Sequence, residues 1–396
     1  MKKYRYLIVG GGMAADAAVA GIREVDEGSP IGILSAEAHP PYDRPPLSKG
    51  LWKGEDPQSV WRRGVLGRAI DLHLSRLAVE LDAGSQQVRD NQGETYSYER
   101  LLLATGGTPR RLPFGEGSII YFRTVDDFWK LKQLADSRDR FVVIGGGFIG
   151  SEIAAALAMN GRKVTLIFPG QGIGERVFGG EMAVFMNAYF RERGVEVLPG
   201  DAAVDAQPTA GVLRVKTKKG EIREGAGVVA GLGISPNVEL AEQAGLETQD
   251  GIVVDEYLRT TRRAQIFAAG DVARFPSAAL EGSSRVEHED AALSMGKLAG
   301  QNMAGRAKPN LHIPMFYSDL FEFAYEAVGR ADSRLEMVAD WIEPFRRGVV
   351  YYLENRKVRG VLLVNTPGQV EKARRLIVEN ELFQATELKG RISSAA

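Results

Sequence analysis

Two glycine-rich stretches hold the residues best suited to chemistry. In the first, an apolar run at residues 6–9 leads into Gly10, Gly11 and Gly12, followed by Met13, Ala14 and Ala15. In the second, residues 141–144 lead into Gly145, Gly146, Gly147, Phe148, Ile149 and Gly150. In a strand–turn–helix unit the first glycine permits the tight turn and the second admits a pyrophosphate against the backbone. A small third residue, here Ala15 or Gly150, lets helix and strand pack closely. The helix start then offers unpaired N–H groups and about half a positive charge to the phosphates. One such motif is weak evidence, because glycine-rich turns are common. Two in register on one chain imply that one bound dinucleotide reacts with another.

Carboxylates and cations stand at matching places. Glu37 lies about 20 residues beyond the first glycines, where an acid meets a ribose hydroxyl. After the second motif the strand at 163–168 ends in Pro169, Gly170 and Gln171, with no acid where one is expected and with Arg176 nearby. Glu152 follows Gly150 by two residues, on the first turn of a helix. The apolar run ending at Gly270 and Asp271 puts a carboxylate at the carboxyl edge of a sheet, where α/β folds bind ligands. Ala104, Thr105 and Gly106 close another apolar run, and their small size allows close backbone approach. Residues 39–49 contain Pro40, Pro41, Pro45 and Pro46. Such a density of proline excludes helix and central strand, so a rigid loop is expected to fix Arg44 and Lys49 beside an anionic site.

The elements that position these groups follow the same order. Strands are expected at 6–9, 31–34, 101–104, 141–144 and 163–168, with helices after each glycine turn and at 126–135, 181–193 and 290–303. Alternation at 77–98 and 203–221 reads as two β-meanders. From residue 316 the chain alternates and closes with an amphipathic helix at 370–378, a separate α+β domain. A chain of 396 residues exceeds one core. Its 50 basic and 51 acidic residues nearly cancel, which favours neither nucleic acid nor an anionic membrane. No apolar run approaches the roughly 20 residues a membrane helix needs. The first strand starts too early for a signal peptide, so a cytoplasmic location is expected. There are no cysteines, which removes disulfides, thiolate metal sites and a redox dithiol relay. The four histidines are scattered, and no metal is expected.

The glycine motifs, residues 41–49, Ala104 to Gly106, Pro236 and Asn237, Gly270 and Asp271, Glu287 and His288, and residues 314–320 occur in this order. That ordered set resembles the FAD-dependent NAD(P)H reductases of the glutathione-reductase-like fold. Within them it is most similar to the ferredoxin reductases of oxygenase systems and to apoptosis-inducing factor. The resemblance implies an α/β fold with two Rossmann-like dinucleotide-binding domains and a C-terminal α+β domain. Residues 1–112 and 244–309 would form the FAD-binding domain, 113–243 the NAD(P)-binding domain, and 310–396 the C-terminal domain. The first glycine motif would hold FAD and the second NAD(P)H.

Carried over residue by residue, the resemblance implies cofactor contacts from Gly10, Gly12, Met13, Ala14, Ala15, Glu37, Arg44, Lys49, Val79, Ala104, Thr105, Gly106, Gly270 and Asp271. It extends them to Gly145, Gly147, Phe148, Ile149, Gly150, Glu152, Arg176 and Gly233. His288 would lie along the isoalloxazine, Glu287 near the nicotinamide and Tyr317 near the flavin. Lys49 and Glu152 would form the catalytic ion pair. Three positions depart from the pattern. Ala36 leaves Glu37 to hold the ribose alone, Gly170 replaces the NAD ribose acid, and Tyr317 replaces a usual Trp. The implied activity is hydride transfer from NAD(P)H to FAD, then electron transfer to a carrier such as a [2Fe–2S] ferredoxin. Arg62, Arg63, Arg68, Arg110 and Arg111 are candidates for the surface meeting an acidic partner. An NAD(P)H-responsive interaction flavoprotein, or a reductase of quinone, small radical or oxygen, is the alternative. A monomer or homodimer is expected.

Overall fold

Strand Lys2–Val9 is buried on both faces over its last four residues, the signature of a parallel strand with cover above and below. In the computed structural model, which describes residues 1–65 and 70–392, it lies between Ile31–Leu34 and Thr95–Leu103, with Val9 opposite Leu34 and Leu103. Ile70–His73 and Arg263–Ala268 extend the sheet on its two sides, again parallel. These strands therefore end at one common edge. Ala78–Asp82 and Gln87–Asp90 form the expected meander with Thr95–Leu103. The separate strand expected at 101–104 is instead the tail of that one nine-residue strand.

Helix Met13–Arg23 packs along helix Glu289–Met303 at backbone distance. A Cβ on Gly300 would stand 2.1 Å from the Ala18 carbonyl oxygen, one on Gly296 2.3 Å from that of Ala14, and one on Gly21 2.0 Å from that of Lys297. Only glycine admits this approach. These elements belong to a compact unit made of Met1–Asp43, Gln58–Thr108 and Ser235–Met315.

The second compact unit comprises Arg44–Pro57, Pro109–Ile234 and Phe316–Ala396. It holds a five-stranded parallel sheet in the order Val195–Pro199, Lys163–Phe168, Arg140–Ile144, Gly227–Ala230, Ile119–Tyr121. Helix Val125–Ser137 starts at a capping box between Thr124 and Asp127, and Phe148–Met159 follows the second glycine turn. A second five-stranded sheet, from Met315–Leu320 to Lys357–Val364, carries the amphipathic helix Val370–Glu379. The proline-rich segment departs from the expected rigid loop without helix. Pro45–Ser48 and Gly50–Lys53 are two short 3-10 turns. Proline has no N–H to lose at the start of a helical turn, and its fixed φ suits that position. Trp52 anchors the segment: its indole N–H donates to the Leu47 carbonyl at 2.8 Å, and its ring meets Phe128 edge-on at 5.7 Å. No helix among the described residues is long and apolar enough to cross a membrane.

The helix crossing generates a stability prediction. Gly300→Val must separate the two helices and is expected to destabilise by about 1–3 kcal/mol, as overpacked cores do. Calorimetric unfolding should show a midpoint several degrees lower, whereas Gly28→Ala, which meets nothing within 4 Å, should leave it in place. An unchanged midpoint for Gly300→Val refutes the close crossing.

Candidate functional site

The carboxyl edge of the first sheet gathers most of the residues expected to meet FAD. Gly10 follows Lys2–Val9 at φ 119°, and a Cβ there would stand 2.0 Å from the Ala104 carbonyl oxygen. Gly12 differs: no described heavy atom lies within 4 Å of its missing Cβ, and no side chain caps the helix starting at Met13. Open space in front of an uncapped helix start fits a pyrophosphate. Ala14 and Ala15 are buried beneath it. Glu37 stands half-buried beyond Ile31–Leu34, accepting the Tyr42 hydroxyl at 2.5 Å. Thr105 and Gly106 follow Thr95–Leu103 and are fastened by Asn237. Its side chain donates to the Thr105 carbonyl at 2.8 Å, its carbonyl accepts the Thr105 hydroxyl at 2.7 Å, and its N–H donates to the Gly106 carbonyl at 3.0 Å. The ordered motif contained Asn237, yet its clamping role needed the geometry to be seen.

Gly270 and Asp271 form a 3-10 turn after Arg263–Ala268. His288 is the N-cap residue of Glu289–Met303. Burial pushes its imidazole down to about 4, against the pull of Asp271, so it is neutral at pH 7. Glu287 is held by Arg285 at 2.9 Å, and Arg285 also meets Asp250 at 3.2 Å and the Asp271 carbonyl at 3.1 Å. Val79 is exposed on Ala78–Asp82. Arg62 is not the free surface cation expected. It bridges Asp16 at 2.7 Å and Asp43 at 2.5 Å, because a buried Asp16 on the dinucleotide helix demands a counter-charge. Arg63 is exposed, and Arg68 lies outside the described residues.

In the second unit the other glycine turn repeats the design. A Cβ on Gly150 would stand 1.8 Å from the Gly145 carbonyl oxygen, while Gly147 faces open space before an uncapped helix. Both turns thus fit a dinucleotide. Phe148 is exposed and meets Phe316 edge-on at 4.8 Å, and Ile149 is half-buried. Gly233 lies on the turn beyond Gly227–Ala230, its carbonyl accepting the Arg110 N–H at 3.0 Å. Arg110 and Arg111 are exposed, with Arg111 over the Tyr121 ring. Arg44 donates to the Arg123 carbonyl at 2.9 Å. Arg176 is exposed, and its carbonyl accepts the Ser333 N–H at 2.8 Å. A carboxylate does stand at the end of Lys163–Phe168. It is Glu175, which the sequence pattern did not single out, accepting the Gln171 N–H at 2.8 Å.

The expected ion pair is present and more elaborate than expected. Lys49 and Glu152 meet at 2.8 Å, with only 11% and 4% of their side chains exposed. Ser48 donates to the second carboxylate oxygen at 2.5 Å, and Ser318 donates to the first at 2.7 Å. Buried charge needs such donors, and the second turn of Phe148–Met159 brings Glu152 to them. Tyr325 completes the chain against Ser318. Burial raises its phenol strongly, and the Glu152 charge raises it further. Lys49 also lies over the Tyr317 ring, 5.3 Å from its centre, and Tyr317 is exposed. Ser48 and Ser318 were inside quoted motifs, but short hydroxyl side chains carry no spacing signal of their own.

Comparison with known proteins agrees with this geometry. Residues 4–296 match the pyridine nucleotide-disulphide oxidoreductase family, and residues 299–344 match the C-terminal domain of mitochondrion-associated apoptosis-inducing factor. The chain is 32% identical to apoptosis-inducing factor 1 of Dictyostelium discoideum, covering 97% of this chain and 80% of that one. It is 30% identical to putidaredoxin reductase of Pseudomonas putida, covering 94% and 91%. Among solved structures, the covalent putidaredoxin reductase–putidaredoxin complex superposes with a TM-score of 0.91 at 28% identity, covering 98% of this chain and 96% of that chain. A ferredoxin reductase from Rhodopseudomonas palustris gives 0.89 at 28% identity, covering 98% and 97%. With two dinucleotide turns and no cysteine, the chain belongs to the pyridine nucleotide-disulphide oxidoreductase family as an FAD-dependent, NAD(P)H-using oxidoreductase of the ferredoxin-reductase type that works without a disulfide.

Proposed function

We propose that this protein is an NAD(P)H-dependent reductase of a small one-electron carrier of the [2Fe–2S] ferredoxin class. The observation that carries the reading is the buried Lys49–Glu152 pair in a chain without cysteine. Bound FAD supplies the exchange between hydride and single electrons. Residues 1–112 and 244–309 are proposed to hold it, with the Gly12 turn on the pyrophosphate, Glu37 on the ribose and Asp271 toward the ribityl chain. Residues 113–243 are proposed to hold NAD(P)H through the Gly147 turn. Glu152 holds Lys49 in place, and Ser48 and Ser318 fix Glu152. A cation held in place needs no reorganisation when charge moves in the reaction. Relatedness to putidaredoxin reductase, and to the structure of that enzyme with putidaredoxin, supports the carrier. A second reading, an interaction protein whose state follows NAD(P)H, is favoured by the match of residues 299–344 to the apoptosis-inducing factor C-terminal domain.

Anaerobic titration of the yellow protein with nicotinamide, then addition of ferredoxin, quinone or oxygen, separates these. Rapid reoxidation by a [2Fe–2S] ferredoxin, weakening with salt, is expected. A reduced protein that persists in air and changes its oligomeric state supports the second reading instead. Lys49→Met is expected to slow stopped-flow flavin reduction at least about tenfold, and an unchanged rate removes Lys49 from the chemistry. Ser318→Ala deletes one hydrogen bond to a charged group, worth about 1.5–3 kcal/mol, and should lower both the thermal midpoint and the reduction rate, with partial rescue by Ser318→Thr. His288 sets a pH dependence. Unfolded, it takes up a proton near its ordinary 6.5, whereas folded it resists to about 4. The unfolded state binds more protons between those values, so stability falls as pH drops through that window. His288→Asn should flatten that part of the midpoint–pH curve.

A further inference from the structure

We propose that Arg62 is a positioning residue that makes the Gly12 turn competent for a diphosphate, by neutralising the buried Asp16 on the helix that follows the turn. The inference rests on the proposed use of that turn for FAD. A helix start attracts an anion through about half a positive charge spread over its first turn. Asp16 is a carboxylate within that turn, and its N–H donates to the Gly12 carbonyl at 3.2 Å. It stands four residues beyond Gly12, about 6 Å along the axis. Left alone, its charge would draw on the same dipole and repel the ligand proposed for the turn.

Bulk water screens this carboxylate little. Asp16 is 3% exposed, and its Oδ1 has no hydrogen-bond partner among the described residues. Gly64 packs against it, since a Cβ there would stand 2.4 Å from Oδ1 and 2.7 Å from Oδ2. An ionised group removed from water in this way is costly unless a counter-charge meets it. Arg62 is that counter-charge, its Nε donating to Oδ2 at 2.7 Å. Its other bond, from Nη1 to Asp43 Oδ1 at 2.5 Å, goes to a carboxylate that is 30% exposed and so partly hydrated. Burial works against the guanidinium charge, but the hydrogen bonds to Asp16 and Asp43 outweigh it and hold Arg62 above its ordinary range.

The backbone fixes the guanidinium where it stands. The Arg62 N–H donates to the Pro41 carbonyl at 2.9 Å, and the Asp43 N–H donates to the Val60 carbonyl at 2.8 Å. Between these bonds Tyr42 and Trp61 form an antiparallel bridge, and their rings meet edge-on at 5.8 Å. All of these residues share one compact unit with the Gly12 turn. Arg62 is therefore held against Asp16 before any ligand arrives, and the helix start keeps its dipole for the diphosphate. The turn supplies the N–H groups, and Arg62 acts on their ligand through Asp16 rather than by touching it.

The test follows flavin release from the full-length holoprotein by fluorescence, with ADP and adenosine as displacing ligands. Two like charges about 6 Å apart, in the effective dielectric of a protein, repel enough to change an affinity at least about tenfold. Arg62→Gln is expected to weaken FAD and ADP by that factor and to leave adenosine, which carries no phosphate, unmoved. Asp16→Asn should tighten ADP severalfold with adenosine again unmoved, which a merely structural ion pair would not allow. Asp16→Asn combined with Arg62→Gln should return ADP to within about threefold of wild type. Where Arg62→Gln alone does not fold, those last two variants carry the test. Weaker ADP binding by Asp16→Asn overturns the inference, as does an unchanged ADP affinity in Arg62→Gln. Parallel losses of ADP and adenosine assign Arg62 to the fold instead. A double variant about tenfold weaker than wild type for ADP alone assigns Arg62 to direct contact with the diphosphate and likewise overturns it. If wild type binds neither FAD nor ADP, the flavin reading of the Gly12 turn itself falls.

Discussion

A carboxylate removed from water must be met by donors on every side, and Glu152 shows what that demands of a chain. Its helix supplies the position, the proline-rich segment supplies Ser48 and Lys49, and the C-terminal sheet supplies Ser318. Three stretches far apart in sequence must therefore be correct together within one compact unit. Stripping a partner from such a pair leaves an uncompensated buried charge, a change that typically destabilises by about 3–5 kcal/mol. That magnitude rivals a large part of a domain's net stability, so the constraint reaches well beyond the residues in contact. The two 3-10 turns make sense in this light, since they bring Ser48 and Lys49 to one carboxylate on consecutive residues.

The same reasoning connects the two glycine turns. Both leave the second motif glycine, Gly12 or Gly147, open and pack the third small residue tightly, so backbone geometry, rather than side chains, prepares each proposed phosphate site. Side chains enter at the strand ends, and there the turns diverge. Glu37 follows its strand closely and is braced by Tyr42, whereas Glu175 reaches back over a glycine from the far side of a loop.

Much of this was legible in the sequence because it rests on local rules. Both strand–turn–helix units, the two meanders and the closing amphipathic helix follow from spacing and periodicity, whereas the Lys49–Glu152 pair was expected through the family resemblance. What stayed hidden depends on tertiary neighbours. Ser318 is an ordinary hydroxyl until the C-terminal sheet sets it against Glu152. Glu175 looks like any first-turn acid until the loop folds its carboxylate over Gly170. Arg62 reads as a surface cation until Asp16 is found buried beside it. The prolines at 45 and 46 read as breakers, yet at the start of a helical turn they are compatible with it. In each case the residue type was visible and its partner was not.

The glycine-lined crossing of Met13–Arg23 with Glu289–Met303 bears on how the protein is made. The helix Met13–Arg23 leaves the ribosome with its apolar face bare, and the helix that covers it is synthesised only after the segment Pro109–Ile234 of the second compact unit. At ordinary elongation rates that gap is on the order of tens of seconds. The Gly12 turn is thus translated early and completed late, so the flavin capture proposed for it belongs to the end of biosynthesis rather than its beginning.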